Sequence, residues 1–62
     1  MKFVLEVDLD AAAGAPEDEL GRILRYWAGN FKHYALEPGT SETIMDSAYT
    51  PVGTWRIEAG ND

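Results

Sequence analysis

The stretch from Pro16 to about Tyr34 constrains the rest of the chain. Leu20, Ile23, Leu24, Trp27, Phe31 and Tyr34 recur at the i, i+3, i+4, i+7 spacing of an amphipathic helix. At 100° per residue they form one apolar stripe, which must be laid on another element. Pro16 suits the first helical position, where its missing N–H has no intrahelical partner. Glu17, Asp18 and Glu19 follow it and complement the positive end of the helix dipole, while Arg22, Arg25, Lys32 and His33 come later. Asp18 and Arg22, four residues apart, are spaced to pair. Gly21 and Gly29 each weaken the helix by up to about 1 kcal/mol relative to alanine, and Pro38-Gly39 stops it. The pattern predicts a helix over residues 16–35.

Strands must receive that stripe. Phe3, Leu5, Val7 and Leu9 alternate with Lys2, Val4, Glu6, Asp8 and Asp10, the period of a half-buried strand over residues 2–9. Two further strands are expected at residues 42–47 and 52–58, joined as a hairpin through Ser47–Pro51. Trp55 and Ile57 point one way; Thr54, Arg56 and Glu58 point the other. The pattern leaves open whether Ile44 or Met45 faces the helix. Gly53 marks either a bulge or a close backbone approach. Residues 59–62 read as a frayed end.

The expected fold is α+β: a two-layer β-α-β-β unit, one amphipathic helix packed on a three-stranded sheet in order 1-3-2. Antiparallel pairing is the commoner kind. This order also flanks Arg56 with carboxylates, Glu6 or Asp8 on one side and Glu42 on the other. With 62 residues the chain reads as a single domain that buries only about 60% of its unfolded surface. It has no cysteine, so neither disulfides nor thiolate metal sites reinforce it.

Eleven acidic against five basic residues give a net charge of −6. That argues against direct binding to nucleic acid or to an anionic membrane surface, even though Arg22, Arg25 and Lys32 line the outer side of the helix. The apolar opening is cut short by Glu6 and Asp8, and nothing has the length of a membrane span. The expectation is a soluble, cytoplasmic protein. A phosphate site at the start of the helix is disfavoured by Pro16 and the three acids behind it. Glu6, Asp8 and Asp10 offer calcium no converging turn ligands. No cofactor, metal or catalytic residue is expected. His33, the only histidine, has no serine, cysteine or acid placed by spacing to complete a nucleophile–base pair.

Contact with another protein is the remaining expectation. Arg22, Tyr26, Asn30 and His33 share one flank of the helix, with Arg22 placed to lie over the Tyr26 ring. Tyr49 sits in the hairpin connection. Tyr and Arg are favoured at contact centres, which makes these five residues the candidates for a partner surface. Trp27 and Trp55 read as a core pair rather than an aromatic cage. The sheet face away from the helix, with Val4 and Val52, is a further candidate surface. It or an edge strand is suited to homodimerisation. The alternative is an acidic decoy that occupies a nucleic-acid-binding site on a partner, with Glu6, Asp8 and Asp10 as a row of carboxylates.

The segments Met1–Val7, Leu20–Arg25, Ile44-Met45-Asp46-Ser47 and Val52-Gly53-Thr54-Trp55 together resemble small accessory proteins of actinobacteria and their phages. Those proteins combine a strand, an amphipathic helix and a closing hairpin with an Asp…Val-Gly-x-Trp pattern. This chain departs from the pattern at the hairpin tip, where Ala48-Tyr49-Thr50-Pro51 stands in place of Asn-Gly type residues. The resemblance implies a compact, phage-encoded accessory protein without an enzymatic role. It assigns no functional residue.

Overall fold

The computed structural model describes residues 1–60. Strand β1 covers Lys2–Val7, helix α1 Pro16–Asn30, strand β2 Ser41–Met45 and strand β3 Pro51–Glu58. The three strands form one antiparallel sheet in the order β1-β3-β2, the expected α+β arrangement.

Three boundaries differ from the sequence reading by two residues or more, and β2 and β3 each begin one residue early. The first strand stops at Val7, because Asp8 Oδ1 accepts the Asp10 N–H and starts a turn. The helix stops at Asn30 and tightens into a 3₁₀ turn, Phe31–His33, before Tyr34 adopts extended backbone. Asn30 Nδ2 donates to the Tyr26 carbonyl at 2.6 Å, so its side chain folds back on the last turn. Phe31 and Tyr34 still reach the core, although they do so from outside the α-helix. The second strand ends at Met45, since Asp46 already belongs to the hairpin turn. Of the expected frayed end, residues 61–62 lie outside the described residues.

The core joins Ile23 and Trp27 of α1 to Ile44, Val52, Trp55 and Ile57 of the sheet. Trp27 and Trp55 meet edge to face at 5.5 Å between ring centres, the expected pair. Phe31 and Tyr34 also meet Trp55 edge to face, and Phe3 meets Phe31 in the same way. Fully burying a side chain of this kind contributes about 1.5–3 kcal/mol, so a short chain concentrates its stability in this cluster. Leu20 and Leu24 belong to the same periodic stripe but contribute less: Leu20 is half-buried and Leu24 is exposed.

Ile44, not Met45, faces the helix. The β2–β3 register shifts between Ile44 and Met45, so β3 carries one extra residue there. This bulge breaks the alternation of β3. Val52 is only 4% exposed and belongs to the core, not to the open face where sequence parity puts it. Gly53 is also a point of close approach, but to β1 rather than to the helix. A Cβ at Gly53 would lie 2.0 Å from the Glu6 carbonyl oxygen.

The face away from the helix is polar. Arg56 binds Glu6 at 2.8 Å, and Glu58 of its own strand at 2.8 Å. Glu42 is not its second carboxylate, because Glu42 pairs with Trp55 and so lies on the opposite face. Val4, opposite Arg56, is the half-buried apolar residue of this surface.

Candidate functional site

Two carboxylates that the sequence reading did not single out as a site are buried. Glu19 is 7% exposed and Asp46 3%. Buried charges must be hydrogen-bonded, and both are. Asp46 Oδ1 accepts the N–H groups of Ala48 and Thr50, each at 2.9 Å. Its Oδ2 accepts the Ala13 N–H at 3.0 Å. The Asp46 N–H in turn donates to the Thr50 carbonyl, which closes the hairpin turn. Glu19 Oε1 accepts the Ser47 N–H at 3.0 Å and lies 3.4 Å from Arg22 Nη2. Arg22 Nη2 also donates to the Met45 carbonyl at 3.0 Å. The β1–α1 connection, the first turns of α1 and the hairpin turn are thereby tied together.

Both carboxyls are held below their ordinary pKa values. For Asp46 the main cause is the Thr50 N–H, then that of Ala13; burial opposes them, and Ala48 and Arg22 add to the lowering. For Glu19 it is the Ser47 N–H, opposed by burial and helped by the Ser47 side chain and Arg22. A carboxylate that accepts several main-chain N–H bonds is stabilised in its charged form.

This lock forms the end of a groove of about 530 Å³ between α1 and the β2 edge. Arg22, Tyr26 and Trp27 line it from the helix, Glu42, Thr43 and Met45 from the strand, and Ser47 and Tyr49 from the turn. Tyr34 also lines it. Three of the five candidate contact residues, Arg22, Tyr26 and Tyr49, therefore converge. Asn30 and His33 do not line the groove: Asn30 is turned to the helix end, and His33 sits exposed in the 3₁₀ turn. Arg22 pairs with Glu19, three residues before it, rather than with Asp18, and its guanidinium is directed to Glu19 and the Met45 carbonyl. Its charge is used inside the fold. Tyr26 and Tyr49 keep exposed rings, and Tyr49 is 86% exposed.

Tyr49 has a φ of 59°, the left-handed region. The turn thus uses the backbone conformation that Asn-Gly residues favour, but with a tyrosine in it. The Asp46 carboxylate and main chain supply the hydrogen bonds that hold it there. The sequence signal for this arrangement is an Asp at the start of a short connection that closes on Thr50, the pattern of a side-chain-capped turn.

Glu6, Asp8 and Asp10 do not form a row: Glu6 is paired with Arg56, and Asp8 and Asp10 lie in the turn after β1. Among the described residues no group of three or more His, Asp or Glu side chains is placed to hold a metal ion, and no helix is long and apolar enough to cross a membrane. No protein-family model matches the chain, and no curated protein and no solved structure matches it.

Proposed function

We propose that the chain is a non-enzymatic interaction protein that binds and modulates another protein, and that the groove between α1 and β2 is its contact surface. The observation that carries this reading is the convergence of Tyr26, Tyr49 and Arg22 on one groove. Exposed tyrosine rings are favoured at contact centres, and Arg22 holds the groove wall beside them through Glu19 and the Met45 carbonyl. The occupant fits best as a basic segment of the partner. Arg22 is already engaged by Glu19 and Met45, Glu42 remains on the groove wall, and the chain carries a net charge of −6. The resemblance to actinobacterial and phage accessory proteins supports the same role, in the cytoplasm and phage-encoded.

Capture from a host lysate tests the groove, with wild type compared with Tyr26→Ser/Tyr49→Ser and with His33→Ala. The expected result is a partner retained by wild type and His33→Ala and lost by the tyrosine variant, with circular dichroism showing all three folded. Equal retention by the tyrosine variant overturns the groove as the contact surface. Retention by that variant together with steep loss at raised salt favours the acidic-decoy reading instead.

A further inference from the structure

The two edges of the sheet are unequal. On β2, Arg22 caps the Met45 carbonyl, and the bulge in β3 opposite Ile44/Met45 breaks the regular pairing of that edge strand. Both are devices that keep an edge from pairing with another strand. β1 has neither. It runs six residues in unbroken register against β3, without proline or bulge.

The hydrogen-bond phase of β1 fixes what that edge presents. Asp8 N–H donates to the Val52 carbonyl, in line with the register Glu6↔Thr54, Val4↔Arg56 and Lys2↔Glu58. Even-numbered residues therefore direct their main-chain groups at β3, and Phe3, Leu5 and Val7 direct theirs outward. Beside these free groups lies exposed apolar surface: Phe3 is 47% exposed.

We propose that the β1 edge pairs with the β1 edge of a second copy of this chain, antiparallel about Val4, to make a continuous six-stranded sheet. The sequence of β1 is self-complementary in that register. The outward main-chain groups of Phe3 meet those of Leu5 in the other copy, and of Leu5 those of Phe3, as hydrogen-bonded pairs. On the polar face Lys2 falls opposite Glu6, twice by symmetry, with the two Val4 side chains between them. On the helix side the exposed Phe3 ring meets Leu5 of the other copy. A shift of two residues toward the C-terminal end sets Val4 against Glu6, and a shift of four sets Glu6 against Glu6. The register about Val4 alone matches charge to charge and apolar to apolar. This pairing leaves the α1–β2 groove at the far edge untouched, so it stands or falls apart from the proposed groove function.

Sedimentation velocity from micromolar to millimolar protein, with amide exchange at both extremes, tests it. The expected result is a monomer–dimer equilibrium in which the Phe3 and Leu5 amides become protected as concentration rises. Lys2→Glu is expected to weaken the dimer at least tenfold by setting glutamates opposite each other. Lys2→Gln, which removes the charge pair without setting like charges together and leaves the Glu6–Arg56 pair in place, is expected to fall between Lys2→Glu and wild type, and circular dichroism checks that both variants fold. A monomer at every concentration overturns the proposal. So does a dimer in which the Phe3 and Leu5 amides still exchange freely.

Discussion

The two ends of α1 are held by opposite kinds of chemistry. At its C-terminal end Trp27 and the following Phe31 and Tyr34 close on Trp55 in a cluster of rings with centres 5.2 to 6.1 Å apart. At its N-terminal end Glu19 and Asp46 bind main-chain N–H groups from two loops. The first kind of contact is non-directional and indifferent to pH. The second is directional and requires charged carboxylates. The apolar end supplies most of the stability, whereas the carboxylate end fixes where the loops sit and so shapes the groove.

Removing the apolar end is the most damaging change. Trp55→Ala is expected to cost about 3–5 kcal/mol. A chain of 62 residues has a total stability of roughly 3–9 kcal/mol, so the variant is expected to lose a third or more of it, read from urea denaturation. A loss in Trp55→Ala smaller than that in Asp46→Ala would show that the carboxylate end holds more than this comparison assigns to it. Gly53→Ala comes next. It attacks the joint between the two ends, because its methyl group would sit 2.0 Å from the Glu6 carbonyl oxygen, which cannot yield without parting β1 from β3. The expected cost is at or above the usual overpacking range of about 1–3 kcal/mol, read from urea denaturation.

At the carboxylate end Asp46→Ala strips the acceptor from the N–H groups of Ala13, Ala48 and Thr50 together. A fall in melting temperature of about 10 °C is expected, smaller than for Trp55→Ala. Asp46→Asn, which keeps one carbonyl oxygen, falls between Asp46→Ala and wild type. The same end also makes the fold acid-sensitive. Asp46 and Glu19 have folded-state pKa values below their ordinary values of 3.8 and 4.5. A depressed carboxyl contributes stability that is fully present above its unfolded value and is lost as pH falls through the folded one. Melting temperature is therefore expected to stay level from these carboxyls down to about pH 5 and then to drop, with a shallower drop in Asp46→Asn. An identical acid limb in that variant would place the acid sensitivity at Glu19, or at Glu58 beside Arg56.

The contrast between the ends also explains what was legible in the sequence. The apolar end announces itself, since Ile23, Trp27, Trp55 and Ile57 sit at helical and strand spacings that only a two-layer fold satisfies. Strand order followed from pairing preference and from carboxylates expected on both sides of Arg56, of which Glu6 is met and Glu42 is not. The carboxylate end was hidden for a physical reason. In the first turn of a helix Glu17, Asp18 and Glu19 all suit the dipole, and which of them turns inward depends on the hairpin turn beneath it, 28 residues away in the case of Ser47. The groove was half legible. Tyr26 and Arg22 share a helix flank by spacing, but Tyr49 joins them only through the bulge and the turn, whereas Asn30 and His33 leave them because the helix ends at Asn30.

The smallest expected effect on stability separates fold from contact most cleanly. Tyr49 is held at a φ of 59° while its ring is almost wholly exposed. The left-handed region costs a non-glycine residue about 1–2 kcal/mol, and glycine is free of that strain but gives back part of the gain through its more flexible unfolded chain. Tyr49→Gly is thus expected to leave stability unchanged or to raise it by up to about 1 kcal/mol, measured by urea denaturation. The same variant removes one wall of the groove and is expected to weaken partner capture. A chain that becomes no less stable when it loses this ring does not need it for folding, and weaker capture by the same variant would assign the ring to binding. If Tyr49→Gly instead destabilises the protein, the ring packs on the turn, and the carboxylate end extends to the hairpin tip.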